Sequence, residues 1–545
     1  MWGAGGKSLQ RNLPQFFEGF FAVLSVDEGV YRMSNRVVIV GAGIGGLTTA
    51  VWLAKAGYQV RVYEAQTYPG GSASTFTHKG YRFESGATVV GGFQPNGPHA
   101  VAAEKLGIAW RVHQHDPAWV VHLPNASLAL TQDYADVLAH FPKSAPFWRE
   151  QARIADIAWS LSAQGLPFPP RDLAEFAQLA SVGIRNFPRD VQVVPFAFAS
   201  VHQWASLRGM ANDPAFIRFL DATLLISAQT TTRYVNALYG ATAMDLARQG
   251  VYHVEGGIGG IAETLAETLR AYGGEVHYRH SVTRICLEGG RATGIMVKEG
   301  RRSTKETFIP ADFVVANSTP WSLDAMLGEA SPPALKREVA RRPETQGAFV
   351  LHLGIDASKL PANLPDHHQI IASLDGEMGE GRTVFVSLSP TWDSTRAPQG
   401  YRAVTVSTHT RVSAWWDAMA QGEAAYAERK QAYAERMIDL IDRHIVGFKS
   451  AVALQMAGTP LTYAFYTLRH RGMVGGFPQT SLFKARSPRV GIPNVRLVGD
   501  SIFPGQSTAG VTLGAMRVAQ DVERHLPLAV NKRTFVPAQP AGEAS

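Results

Sequence analysis

Residues 36–64, RVVIVGAGIGGLTTAVWLAKAGYQVRVYE, constrain this chain more than any other segment. Val37–Val40 is an apolar run of the length and type of a buried parallel strand, and it leads straight into glycines at 41, 43 and 46. Gly41 and Gly43 permit a tight turn and the close approach of a pyrophosphate, while Gly46 lets the following helix pack on the sheet. That helix keeps an apolar face at Leu47, Ala50, Val51 and Ala54 and stops at Gly57. Val60–Tyr63 form a second strand, and Glu64 ends it 18 residues after Gly46. A carboxylate there can take both hydroxyls of a ribose without a 2′-phosphate, so ADP-type cofactors are favoured over NADP. The segment predicts a dinucleotide-binding βαβ unit.

Three later segments carry related signals. Tyr68-Pro-Gly-Gly-Ser72 is a second glycine-rich loop, whose Gly70 and Gly71 can expose backbone amides to a phosphate. It leads into a strand with Tyr81 and Phe83 on a buried face and Arg82 and Glu84 on the other. In mid-chain, Glu255-Gly-Gly-Ile-Gly-Gly260 opens a helix with Leu265 and Leu269 on one face and a stop at Gly273-Gly274. Strands are predicted after it at Glu275–Tyr278, Ser281–Leu287, Ala292–Lys298 and Phe313–Ala316, the last followed by a turn over Asn317–Trp321. Near the C-terminus, Asn494–Asp500 reads as a strand, then a loop, then a helix from about Ala509-Gly510 through Arg524. Free amides at that helix start suit a phosphate or an electron-rich carbonyl edge. Asp500 stands where a carboxylate can bond a sugar-alcohol chain; taken alone it also reads as a loop-stabilising aspartate.

A chain of 545 residues exceeds one simple core, and these segments are interrupted twice. Residues 113–250 are rich in aromatics and prolines, with helical periodicity over Glu175–Leu246, and predict a mostly helical insertion. Gln346–Thr408 is strand-rich and Glu423–Val446 a charged helix, which makes 326–485 the β-rich second half of that insertion. The nucleotide domain is then built from 36–112, 251–325 and 486–530, with an uncertain extension at 1–35 and a disordered tail at 531–545. Within the extension, Lys7 and Arg11 precede an apolar patch broken by Glu18, and Met33 is expected to be the true start. The net charge of +7 comes without a Lys/Arg block, so nucleic acid is not an expected partner, whereas anionic lipid headgroups fit. The single Cys286 excludes an internal disulfide and any multi-cysteine metal site, and is expected as a packed thiol. No run of uncharged apolar residues is long enough to span a membrane. His113, His115, His122, His367 and His368 match no metal-ligand spacing and read as surface or satisfied histidines, so no metal is expected. No catalytic acid or base stands out. Val191–Val201, with its valines and phenylalanines, is a candidate tunnel wall or membrane-dipping surface.

From Arg36 to about Leu526, these motifs in this order resemble the FAD-dependent carotenoid desaturases of the phytoene-desaturase type, within the wider amine-oxidase-like flavoproteins. The resemblance implies an α/β fold, a Rossmann-like FAD-binding domain with an interleaved α+β substrate-binding domain. It implies FAD as cofactor, with Glu64 on the adenosine ribose and Gly41, Gly43 and Gly46 along the diphosphate. Gly70, Gly71 and Ser72 form the second loop against the cofactor. Val282 meets adenine through its backbone, Gly499 and Asp500 serve the ribityl side, and Gly510-Val511 meet the isoalloxazine edge. Arg82 and Glu84 lie near the flavin in that family. Most of the wider family carries an arginine where Ser72 stands, which puts one phosphate or flavin contact in doubt. The small residue, with Gly86-Ala-Thr88 beyond it, is most similar to the branch that desaturates the 3,4 position of acyclic, often 1-hydroxylated, carotenoids. A polyene substrate in turn implies a long apolar pocket and attachment to the inner face of the cell membrane from the cytoplasm. Phytoene desaturase, carotenoid isomerase and retinol-saturase-like activities stay open within the class. Amine oxidase, which needs an aromatic cage against the flavin, and non-catalytic prenyl-protein-binding relatives are the distant alternatives.

Overall fold

Val37, Val38 and Ile39 are buried on both sides of their strand, as the centre of a parallel sheet requires. In the computed structural model, which describes residues Asn35–Leu528, Arg36–Val40 lies between Gln59–Tyr63 and Phe313–Ala316, parallel to both. Val495–Leu497 and Glu275–His277 complete a five-stranded sheet at its two edges. One sheet is thus assembled from three distant stretches of chain. The helix Ile44–Lys55 follows the central strand at once and packs against Gly260–Ala271 and Thr508–His525. Its glycines and alanines make that close three-helix contact possible. The expectations for the N-terminal extension, Met33 included, and for the tail from 531 lie outside the described residues.

A three-stranded antiparallel sheet, His280–Glu288, Arg291–Glu299 and Glu306–Pro310, stands beside the parallel one. Its last strand is absent from the sequence reading because it is mostly exposed and shows no alternating apolar pattern. Cys286 is half-buried in this sheet, not the packed core thiol expected from its strand.

The larger sheet has seven strands in the order Val452–Gly458, Gln346–Asp356, Tyr401–Arg411, Thr383–Leu388, His367–Ile371, Trp119–Leu123, Ala126–Leu130. The last two stand at the head of residues 113–250, before the segment read as helical. Trp119–Leu123 pairs antiparallel with the adjacent Ala126–Leu130 and in parallel with the remote His367–Ile371, and a five-residue run leaves little local signature. From Ala145–Ala163 to Ala237–Ala243 the stretch is helical as expected, with Trp204, Phe147, Phe216 and Phe219 fully buried among its helices.

Period-two alternation sorts the two faces of this sheet. Leu351, Leu353, Val404 and Val406 join Met437 and Ile441 of the helix Glu423–Asp442 in one core cluster. Ala348, His352 and Met456 instead line a cavity. Glu84 also departs from the expected pattern, being buried rather than solvated on the polar face of its strand. Arg396 Nη1 donates to its Oε1 at 3.0 Å, and the arginine side chain is only 2% exposed. Arg82, on the same strand, pairs with Glu263 at 3.0 Å. Removing one partner of a buried pair strands the other charge, so Arg396→Ala is expected to cost about 3–5 kcal/mol. Chemical denaturation of the holoprotein measures this, and a loss below about 1 kcal/mol, the level of a surface pair, would contradict it.

Candidate active site

A single cavity of about 1440 Å³ runs from the C-terminal ends of the parallel strands, past the Gly70-Gly71 loop, to the face of the seven-stranded sheet. Strand ends in an open α/β sheet are where this architecture leaves a crevice for ligands. The volume exceeds the range of about 300–1,000 Å³ typical of one small-molecule site.

The cradle end is built around glycines. Gly41, at φ +91°, and Gly43 are on the wall, and a Cβ at Gly43 would lie 2.4 Å from Nδ2 of Asn317. A Cβ at Gly499 would lie 2.9 Å from the Oδ1 of the same asparagine. Asn317 is therefore the hub of the cradle, a role that sequence reasoning missed in assigning it only to a turn. Its signal was position, directly after the buried strand Phe313–Ala316 that ends beside Val40. Gly46 is not on the wall; a Cβ there would lie 2.3 Å from the Gly41 carbonyl oxygen, so its place is in the packing of helix on turn.

Glu64 sits at the end of its strand with its carboxylate held by two backbone amides. Oε2 accepts from Ala42 N–H and Oε1 from Gln66 N–H, each at 2.8 Å. Burial pushes its carboxyl above the usual range, and it shares the wall with Val282 and His280. The amide of Gly70 donates to Ala42 O at 2.9 Å, tying the second loop to the first. Gly71 and Ser72 are on the wall beside it, and the Ser72 Oγ is buried without a partner.

At the C-terminal segment, Gly499 and Asp500 are on the wall, but Asp500 is not free: Arg469 pairs with it at 2.9 Å. Arg469, also on the wall, was not among the expected site residues. The helix there spans Thr508–His525 and is capped by Ser507, whose Oγ accepts from Gly510 N–H at 3.0 Å. That amide is committed to the cap, and Gly510 is off the wall, whereas Val511 is on it. Gln506 is buried on the wall with both amide atoms unpartnered. Orphaned donors and acceptors at Ser72 and Gln506 and a glycine-rich cradle ending at the Glu64 carboxylate fit an FAD lying along this half of the cavity.

The half against the seven-stranded sheet is different. Val89, Ile226, Leu246, Ala348, Phe385 and Met456 supply apolar wall. No Asp, Glu, Lys or Arg of that sheet lines it among the described residues. Its polar groups are neutral. His352 is buried with Nδ1 unpartnered, and burial drives its pKa down to about 3. Burial likewise lowers His409 to about 4, and its Nε2 faces Gln229 Oε1 at 3.2 Å.

The histidines singled out from the sequence are satisfied, mostly in the interior. His122 contacts His368 at 3.1 Å and His115 contacts His367 at 3.2 Å, while exposed His113 pairs with Glu255. Among the described residues, no group of three or more His, Cys, Asp or Glu is placed to hold a metal ion. Residues 191–201 are not part of the cavity wall, which corrects the tunnel-wall expectation. They form a short 3-10 helix, Asp190–Ala197, with Val191 and Val194 half-exposed and Phe198 71% exposed beside the ring of Phe483.

The sequence profile of the flavin containing amine oxidoreductases matches residues 44–523. Prolycopene isomerase 2, chloroplastic, from an Oncidium hybrid cultivar is 27% identical, over 95% of this chain and 90% of its own length. The zeta-carotene-forming phytoene desaturase of Myxococcus xanthus is 24% identical, over 89% of this chain and 93% of its own. Among solved structures, an oxidoreductase from Methanosarcina mazei superimposes with a TM-score of 0.60 at 18% identity, covering 89% of this chain and all of the other. At that identity the likeness is one of fold.

Proposed function

This chain belongs to the flavin containing amine oxidoreductases, with FAD as its cofactor, and from that premise we propose that it introduces a C–C double bond into a carotenoid. The observation that carries the reading is the wall without Asp, Glu, Lys or Arg that the seven-stranded sheet presents to the cavity. A protonated amine would be left there without a counter-charge, at high desolvation cost, whereas a polyene pays none. Curated relatives that act on carotenoids, matched over nearly the whole chain, support the same substrate class.

The finer proposal is desaturation at the 3,4 position of an acyclic, 1-hydroxylated carotenoid. Ser72 in place of an arginine supports it, as does the neutral polar group of His352, His409 and Gln229, which offers a terminal hydroxyl both donors and acceptors. Bound FAD supplies the two-electron acceptor. The protein's share is placement: Glu64 for the ribose, the glycine cradle for the diphosphate, and Ser72 and Gln506 for polar atoms of the cofactor. Attachment to the inner face of the cell membrane belongs to the same proposal. Phe176, Ile184, Phe187 and Phe198 are exposed, and no helix among the described residues is long and apolar enough to cross a bilayer. Sedimentation of the flavin-loaded protein with liposomes checks that part.

Isomerisation is the second reading, favoured by the prolycopene isomerases among the relatives. Co-expression in bacteria accumulating lycopene, its 1-hydroxy derivative or a poly-cis precursor decides between them. A red-shifted product lighter by H2 is expected from the 1-hydroxy host. A product of unchanged mass and altered retention would replace desaturation by isomerisation. Unchanged pigment in all hosts, from protein that retains FAD, would overturn the carotenoid reading.

A further inference from the structure

Behind the wall of the main cavity lies a second one of about 10 Å³, enclosed by Glu84, Thr88, His115, His253, His367 and Ser387 among others. That is room for one water. Thr88 borders both cavities. From it, polar side chains follow one another without a gap. Ser387 Oγ is 2.7 Å from Thr88 Oγ1, and His367 Nδ1 is 3.0 Å from Ser387 Oγ. His115 Nε2 is 3.2 Å from His367 Nε2, and His115 Nδ1 is 3.4 Å from Asp366 Oδ2. Ser387 and His367 are buried, while the Asp366 side chain is 22% exposed.

We propose that Thr88, Ser387, His367, His115 and Asp366 form a proton relay between the substrate end of the main cavity and solvent. The reason for a relay, rather than a merely satisfied polar cluster, is that the chain is complete in two opposite polarisations that differ by one proton. Ser387 Oγ donates to Thr88 Oγ1 in this structure, which is the direction of the second. In the first, reached by turning both hydroxyls, Thr88 donates to Ser387, Ser387 to His367 Nδ1, His367 Nε2–H to His115 Nε2, and His115 Nδ1–H to Asp366. In the second, His115 carries protons on both nitrogens, and every bond between it and Thr88 points toward the cavity. Taking up a proton at Thr88 Oγ1 converts the first into the second. Loss of the Nδ1 proton of His115 past Asp366 to water leaves the bonds reversed, and rotation of the two hydroxyls with tautomer exchange at His367 and His115 restores the first.

The inference rests on the desaturase reading for the source of that proton. In a desaturation two C–H bonds break. One hydrogen leaves with its electron pair for the bound flavin, the other leaves as a proton, and its electron pair becomes the new C=C bond. The apolar wall has no carboxylate to receive that proton, and Thr88 is the wall residue from which a hydrogen-bonded path leads out. The surroundings fix the charge around the path. Arg402 holds Asp366, the Glu84–Arg396 pair forms the far side of the small cavity, and His253 is bound to Asp393 at 2.7 Å. Neighbouring His368 is itself committed to His122 and to Pro365 O. Burial keeps His367 neutral, as a carrier that only passes protons must be.

Two measurements test this on the FAD-loaded enzyme and its Ser387→Ala, Ser387→Thr and Thr88→Val variants. The first needs no substrate: 15N NMR of labelled histidines. In the native protein neutral His367 should show one dominant tautomer, and Ser387→Ala should release that tautomer. The second is turnover in H2O and D2O. Ser387→Ala and Thr88→Val should lower kcat about tenfold with KM and FAD content unchanged and the solvent isotope effect altered, and Ser387→Thr should restore both. A His367 tautomer that Ser387→Ala leaves unchanged, a Ser387→Ala enzyme with native kcat and isotope effect, or a loss that Ser387→Thr does not repair would each overturn the relay. If the native chain turns over no carotenoid, the functional reading fails, and the NMR result still decides the relay.

Discussion

Gly43→Val yields a protein with the fold intact and less than a tenth of the native flavin content. The position has φ −72°, which any residue adopts, so the backbone itself is not strained by the change. The obstacle is the 2.4 Å gap to Asn317 Nδ2. A Cβ there displaces the asparagine, and the branched methyls of valine occupy the cradle where a diphosphate must approach the turn. Overpacking of this kind costs about 1–3 kcal/mol, or about five- to 150-fold in affinity, before any lost hydrogen bond is counted. Gly71→Ala is the matched comparison. Gly71 has φ +58° with nothing within 4 Å of where a Cβ would stand, so only a left-handed backbone penalty of about 1 kcal/mol is expected. Flavin absorbance per polypeptide, read against circular dichroism, checks both. Native flavin content in Gly43→Val would mean that the cofactor does not lie against this turn.

The parts of the cradle that could be read in the sequence are those whose physics is local. A turn needing positive φ, a buried strand and an acid at the strand's end leave their marks within thirty residues, and Gly41, Gly43 and Glu64 stand accordingly on the wall. Asn317, Arg469 and Gln506 left no such mark. Asn317 matters through glycines near both ends of the chain, Arg469 through its pairing with Asp500, and Gln506 through atoms left without a partner, and none of these has a period or a spacing. The parallel pairing of Trp119–Leu123 with His367–Ile371 was hidden for the same reason, since the two come from different halves of the chain, whereas its hairpin with Ala126–Leu130 is local. Gly46 and Gly510 show the converse. Both lie in motifs that point at the cofactor, yet one is spent on helix packing and the other on the cap at Ser507. The histidines were legible only as a list. Their pairing depends on the order in which the seven strands lie side by side, and this is what turns scattered residues into buried neighbours.

Those buried histidines give the protein a steep acid limit that begins near pH 6.5. His99 is fully buried, contacts Thr508 Oγ1 at 3.0 Å and stacks on Phe93; burial lowers it to about 3. His352 is held near 3 for the same reason, and His122 and His368 near 4, where burial is joined by repulsion from neighbouring cationic forms. In the unfolded chain all four protonate near 6.5. A base whose pKa is lowered on folding binds its proton preferentially in the unfolded state, so stability is whole above pH 6.5 and falls as the pH drops toward 4. Each group contributes about 1.4 kcal/mol per pH unit in that window, or roughly 2 kcal/mol by pH 5. Domains are stable by about 5–15 kcal/mol, so four such groups remove a large share of the margin. Below about pH 4 a second loss begins, as Asp366, Asp393 and Asp521, all held under the usual carboxylate range by their partners despite their burial, take up protons. The melting temperature of the holoprotein, followed by flavin fluorescence, should therefore fall by about 5–10 °C between pH 7 and pH 5. Replacing His122 and His368 together by glutamine, which keeps hydrogen-bonding capacity and cannot titrate, should flatten that slope by about a third, since His367 and His409 are lowered by burial as well. An equal slope in the double variant would show that these imidazoles are already charged in the folded protein, and that the interior around the seven-stranded sheet is wetter than its packing implies.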